Sequence, residues 1–267
     1  MTGPDRRAAV RKRIVSAAIL GPGVVLAVVL GWPWFDGLVA VCAAVMAWEW
    51  STVCCGRRGL AGGLLIAVVA TAPVLVAWAG EWAVLLPLLG VLPALYRVEA
   101  DRRRPLWIAA GSLYIGVPAV AMAWIHAAAG WETVLWLFLI VWATDIAAYA
   151  VGSKVGGPLL WPSLSPRKTW AGLIGGVACA TIVGAAAGLL LGGRFLGGLL
   201  VLSLILGIVS QGGDLIESAF KRRFRVKDSG DLIPGHGGLL DRADGLIAVT
   251  PVVALTAILT QGGLTTW

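Results

Sequence analysis

Leu196 to Asp244 reads LGGLLVLSLILGIVSQGGDLIESAFKRRFRVKDSGDLIPGHGGLLDRAD. Its first half is an almost unbroken apolar run, and its second half interleaves acids, bases and glycines. A hydrocarbon core about 30 Å thick takes roughly 20 helical residues, so Leu196 to Phe220 is predicted to be a membrane-spanning helix. Asp214, Glu217, Ser218 and Lys221 then fall at i, i+3, i+4 and i+7, which places them on one stripe at its end. Beyond that stripe come Lys227 and Asp228, the breaker Pro234-Gly235, then His236-Gly237-Gly238, and finally Asp241, Arg242 and Asp244. Carboxylates hold hard cations, Lys and Arg take phosphate oxygens, and glycine lets backbone approach closely. Such a mixture suits a site for metal and phosphate.

Working outward, the same apolar character fills the chain. Of 267 residues 59% are hydrophobic and 13% charged, with mean hydropathy +0.88, whereas soluble domains carry about 25% charged residues. The fold class that follows is all-α, a polytopic transmembrane helical bundle of about nine spans, since no ten-residue alternation of a membrane barrel occurs. The spans are expected near Ile14–Leu30, Gly37–Val53, Gly62–Ala79, Trp82–Leu95, Leu106–Ala127, Trp131–Val151, Gly172–Leu191, Leu196–Phe220 and Leu246–Thr260. With no long repeat or linker, residues 1–267 read as one integral membrane domain whose chemistry lies at about 140–250. Trp32, Pro33, Trp34 and Phe35 follow the first apolar run where a cleavage site would need small residues, so that run is read as a retained span.

Positive charge orients the bundle. With the N-terminus cytoplasmic, every one of the 21 Lys and Arg except Arg194 falls on the cytoplasmic side. The net charge of +7 is therefore read as topology and not as a nucleic-acid surface. The loops after the sixth and eighth spans share the cytoplasmic face. Tryptophans near span ends, among them Trp48, Trp50, Trp82, Trp107, Trp131, Trp161 and Trp267, are expected to form an interfacial belt. Cys42, Cys54, Cys55 and Cys179 lack metal-type spacing and imply no disulfide framework.

Ionisable groups inside spans default to a functional reading. Asp145 lies about four turns into the sixth span with Tyr149 at i+4, and reads either as a cation ligand or as a carboxylate bonded to a neighbouring helix. Asp214 and Glu217, one turn apart beside Gly212-Gly213, are placed to share a metal; the alternative for Glu217 is an ion pair with Lys221 or a loop arginine. Asp241 and Asp244 open the last span, where capping explains one carboxylate more readily than two. His236 is either a catalytic or phosphate-binding group or a loop hydrogen-bonder, and Lys221, Arg222, Arg223, Arg225 and Lys227 are phosphate ligands or topogenic cations. Ser165-Pro166-Arg167-Lys168-Thr169 sets hydroxyls and cations before the glycine-rich seventh span, an arrangement suited to phosphate at a helix start. Neither standard nucleotide-binding fingerprint, G-x-x-x-x-G-K-[ST] or G-x-G-x-x-G, occurs.

Together these residues carry a resemblance. Ser218, Lys221, Arg222, Lys227 and Asp228, followed by Pro234 to Gly238, Asp241, Arg242 and Asp244, form a long irregular signature similar to that of the phosphatidate cytidylyltransferases, or CDP-diacylglycerol synthases. Thr144-Asp145, Ser165 to Trp170 and Gln211 to Asp214 match the same family, while in the N-terminal half only hydropathy and Glu49-Trp50 agree. Ala171 stands where the family commonly has an acid, and Arg167 where it has Lys.

The resemblance implies an enzyme that transfers CMP from CTP to phosphatidic acid, giving CDP-diacylglycerol and pyrophosphate in phospholipid biosynthesis. It implies a Mg²⁺ site built by Asp214, Asp241 and Asp244 with Asp145, and phosphate contacts from Lys168, Lys221, Arg222, Lys227 and Arg242. Ser165, Thr169, Ser218, Asp228, Gly237 and Gly238 join the nucleotide site, and His236 the catalytic set. A monovalent cation such as K⁺, a homodimer, and an inner-membrane location with the site facing the cytoplasm are implied as well. Two rival readings fit less of the sequence. A cation-coupled transporter leaves the Gly-His-Gly-Gly loop unused, and the D-G-x-x-A-R motif of CDP-alcohol phosphotransferases is absent.

Overall fold

The computed structural model describes residues 21–56, 60–92, 104–232 and 237–267. The N-terminal Arg6, Arg7, Arg11, Lys12 and Arg13, the start of the expected first span, the loop residues Arg57, Arg58, Arg97, Arg102 and Arg103, and the motif residues Pro234, Gly235 and His236 lie outside the described residues. Among the described residues the secondary structure is helical apart from one short hairpin, as the apolar runs require. Among the described residues seven helical stretches are long and apolar enough to cross a membrane, and Gly21–Leu30 is a shorter apolar helix. By length and composition this is an integral membrane protein.

The chain divides into two compact units, one from 1–119 with 224–243 and the other from 120–223 with 244–267. The sequence's chemical half is thus shared between them, because residues 224–243 group with the N-terminal helices.

The first unit contains α1 (Gly21–Leu30), α2 (Trp34–Cys55), α3 (Leu60–Ala79), α4 (Leu85–Leu89) and α5 (Arg104–Gly111), the last continuing through a π turn, Ser112–Gly116. The third and fourth predicted spans join in one helical stretch, Leu60–Leu89, through a 3₁₀ turn at Gly80–Val84. That stretch is not straight. Val69 and Pro87 are 18 positions apart, which is about 27 Å on a straight helix, yet a Cβ on Gly116 would touch both, at 3.2 and 2.6 Å. The reversal occurs at Gly80, whose φ of +55° suits a residue without Cβ. The Pro87 carbonyl lies in the last turn of α4, and Ser112 Oγ donates to it at 2.8 Å.

Trp50 departs from the expected interfacial belt. It is 4% exposed, its Nε1 donates to the Trp107 carbonyl at 2.8 Å, and its ring lies 5.4 Å from that of Tyr114. Its neighbour Glu49 is buried as well. A polar indole edge with a backbone acceptor is at home inside a bundle, so position near a span end does not fix a tryptophan at the interface.

The second unit contains most of α6 (Val117–Ala129), α7 (Trp131–Val155), α8 (Trp170–Leu190), α9 (Leu196–Arg223) and α10 (Leu240–Thr260) from Asp244 onward. Lipid gives helices little hydrophobic reason to associate, so close backbone packing takes over. The buried stripe Gly172, Gly176, Ala180, Gly184 and Gly188 on α8 provides it. Trp136 of α7 donates its Nε1 to the Gly184 carbonyl at 2.6 Å, an approach that a larger residue on the stripe would block. Between α7 and α8 the predicted cytoplasmic loop forms an antiparallel hairpin, β1 (Leu159–Trp161) and β2 (Ser165–Thr169), paired as Leu159 with Thr169 and Trp161 with Ser165. Pro158, Pro162 and Pro166 bar helix there.

Candidate active site

The second unit brings three carboxylates together. Asp214 and Glu217 stand one turn apart on α9, Asp244 near the start of α10, and an oxygen of each lies within 4.8 Å of the others. Glycines make the approach possible. A Cβ on Gly213 would sit 2.5 Å from the Asp244 carbonyl and 2.7 Å from Ala248 Cβ, and one on Gly245 would sit 2.6 Å from Ser210 Oγ. Each helix therefore presents bare backbone to the other beside its own acid.

Glu217 and Asp244 are buried, at 1% and 9% exposure, and Asp214 is partly exposed. Three acids so close require compensating charge. Lys168, at the end of β2, provides some: its Nζ lies 2.7 Å from Asp214 Oδ2 and donates to Gln211 Oε1 at 3.4 Å. Lys221 Nζ meets Glu217 Oε2 at 2.5 Å, so Glu217 has the predicted i,i+4 partner and stands in the cluster too. Ser218 Oγ donates to Asp214 Oδ1 at 3.3 Å. Asp145 occupies an exposed position on α7, and its charge, like that of Asp214, repels Asp244 while Lys168 attracts it.

Other candidates have structural employment. Thr169 Oγ1 accepts from Gly172 N at 3.1 Å, capping α8. Thr169→Ala is expected to lower stability by about 1 kcal/mol, read as a shifted thermal midpoint in detergent. Arg222 Nε donates to the Leu164 carbonyl at 3.3 Å, tying the end of α9 to the hairpin turn beside Ser165.

The remaining candidates belong to the first unit. Lys227, Asp228 and Arg242 are exposed. Asp241 Oδ2 accepts from Ser229 N and Gly238 N at 2.9 Å each and from Ser229 Oγ at 3.1 Å. Gly237 has φ +84° and packs toward Asp241 and Asp228. Two participants were not singled out in the sequence. Gln211 and Glu49 were noted there only as points of family agreement; Gln211 accepts from Lys168, and Glu49 accepts from Ser229 Oγ, Leu239 N and Leu240 N at 3.1, 2.9 and 2.8 Å. For Glu49, its position inside an apolar span was the available signal.

A helical membrane protein with clustered acids and attendant lysines is what the fold and this site define. The chain belongs to the cytidylyltransferase family, whose sequence model matches residues 11–259. It is similar to the phosphatidate cytidylyltransferase of Brucella suis biovar 1 (strain 1330), 48% identical over 151 residues that make up 56% of each chain. The protein of the same name from Staphylococcus epidermidis (strain ATCC 12228) is 35% identical over 191 residues, 68% of this chain and 74% of that one. Another from Staphylococcus saprophyticus is 44% identical over 130 residues, 48% of this chain and 50% of that one. The aligned part of the chain thus spans little more than half the length of the Brucella relative.

Proposed function

We propose that this chain is a phosphatidate cytidylyltransferase, moving CMP from CTP to phosphatidic acid. The observation that carries the reading is the trio Asp214, Glu217 and Asp244, the last two buried, with Lys168 on Asp214, in a chain whose relatives bear that name. Oxygen donors at this spacing fit a hard dication such as Mg²⁺. Asp214, Glu217 and Asp244 would hold it, with Glu217 in place of the expected Asp241, whose Oδ2 accepts from Ser229 and Gly238, and with Asp145 adding negative charge. When bound, such an ion would supply neutralisation of charge on the triphosphate during transfer.

The nucleophile asks little of the protein. A phosphate monoester has a second pKa of about 6, so the lipid phosphate is mostly dianionic at neutral pH and needs no general base. Its oxygen forms a bond to the α-phosphorus of CTP as the bond from that phosphorus to the β-bridging oxygen breaks. CDP-diacylglycerol and pyrophosphate result, and no proton need move. The chain's task is to hold two anions together. Lys168 and Lys221, already held against the acids, offer ammonium donors for phosphate oxygens, with Ser165, Ser218 and Arg222 beside them in sequence or contact. Lys227 and Arg242 are proposed to take phosphate oxygens, Asp228 keeps its proposed place in the nucleotide site without a phosphate contact, and His236 keeps its proposed catalytic role. A monovalent cation, a homodimer and a cytoplasm-facing site in the inner membrane belong to the same proposal.

Lys168→Met is expected to lower turnover about a hundredfold, as loss of one preorganised cation at a phosphoryl-transfer site does, and Lys168→Arg to recover part of it; initial rates of pyrophosphate release check both. The reading itself is tested with purified protein in detergent, given CTP, phosphatidic acid and Mg²⁺ and then deprived of each in turn. Pyrophosphate release requiring all three, with CDP-diacylglycerol as the lipid product, supports it. Release that ignores phosphatidic acid, or no release from monodisperse protein, overturns it.

A further inference from the structure

The signature Gly-His-Gly-Gly loop invites the view that its backbone amides cradle phosphate. Three of the amides at its end are already engaged. Gly238 N donates to Asp241 Oδ2, Leu239 N to Glu49 Oε1 and Leu240 N to Glu49 Oε2, at 2.9, 2.9 and 2.8 Å. Leu239 N and Leu240 N are among the donors that the start of α10 leaves without helical acceptors, and an anion there is favoured by the helix dipole. Glu49 comes from α2, some 190 positions away, and is 1% exposed. Ser229 Oγ lies 3.1 Å from both Glu49 Oε2 and Asp241 Oδ2, and with one proton it donates to one at a time. The carboxylate also explains two glycines. A Cβ on Gly230 would sit 2.8 Å from Glu49 Oε1, and one on Gly238 would meet both Glu49 oxygens at 2.7 and 2.8 Å as well as Ser229 Oγ.

We infer that Glu49 is a positioning residue: a buried anion on α2 that clasps both ends of the loop 229–240 and fixes the backbone from which Lys227, Asp228, Asp241 and Arg242 project. Gly230 and Gly238 are glycine because that carboxylate occupies the space where a side chain would begin. A helix of the N-terminal half thereby holds the two flanks of the signature loop. The effect on turnover rests on the cytidylyltransferase reading; the clasp itself does not.

Glu49→Gln tests it, since Gln fills the same volume but turns an NH₂ toward one of the two amide donors. Hydrogen exchange of the full chain in detergent is the first readout. Peptides covering 229–242 are expected to exchange about tenfold faster or more, as loss of hydrogen bonds to a charged group implies, with those of α7, α8 and α9 unchanged. Turnover is expected to fall about tenfold or more at temperatures well below the variant's thermal midpoint, where the protein is fully folded, which a merely structural role would not produce. Ser229→Ala, which spares the two amide bonds, is expected to speed the same peptides only about threefold and serves if Glu49→Gln does not fold. Unchanged exchange at 229–242 in the variant that folds, or acceleration spread evenly over the chain, would overturn the inference. A wild-type protein with no CTP- and phosphatidate-dependent turnover would sink the functional reading alone, because the exchange arm uses no substrate.

Discussion

Asp214→Asn protein is expected to fold, migrate as a single species in detergent and release pyrophosphate about a thousandfold more slowly than wild type. Asn keeps the shape of Asp and an oxygen for the Ser218 hydroxyl, so the helix turn is preserved. What it removes is the central charge: one of three carboxylates within 4.8 Å and the partner of Lys168. The stability change should be small, because the Asp214 side chain is 36% exposed and such pairs contribute roughly 0–1 kcal/mol. Rate and thermal midpoint should therefore separate. A variant turning over near the wild-type rate would remove Asp214 from the site.

Gly213→Ala is expected to do the opposite, lowering both. Its methyl group would lie 2.5 Å from the Asp244 carbonyl, a backbone atom that can yield only if α9 and α10 part. Such overpacking costs about 1–3 kcal/mol, and a shift of about 1 Å in reacting groups costs about a hundredfold in rate. The adjacent Gly212 is the control. Nothing lies within 4 Å of a Cβ there, so Gly212→Ala should be neutral or stabilise α9 by up to about 1 kcal/mol through helix propensity. Thermal midpoints in detergent with initial rates of pyrophosphate release compare the pair, and equal behaviour of the two variants would refute the close crossing.

What could be read in advance follows from range. The runs predicted at Trp131–Val151, Gly172–Leu191 and Leu196–Phe220 became Trp131–Val155, Trp170–Leu190 and Leu196–Arg223, because a long apolar run has few alternatives in a membrane. The one-turn spacing of Asp214 and Glu217 was likewise local. Their meeting with Asp244 depended on two glycines whose packing role no spacing rule announces. Lys168 reached Asp214 through a hairpin too short and too proline-rich to predict. Gly80 reversed a stretch that hydropathy alone divides poorly. Glu49 was the least legible, since its partners at Ser229, Leu239 and Leu240 are remote in sequence and its meaning exists only after folding.

The length of α9 bears on the proposed lipid substrate. With 28 residues it extends about 42 Å, whereas the hydrocarbon layer is about 30 Å thick. Measured from Leu196, a 30 Å path ends near Ile216, between Asp214 and Glu217. With the hydrocarbon edge at Leu196, the carboxylates of α9 would sit at the depth of the phosphate layer. A phosphatidic acid molecule would keep its acyl chains in the bilayer throughout the reaction, and only the water-soluble nucleotide would need to be brought to the meeting point.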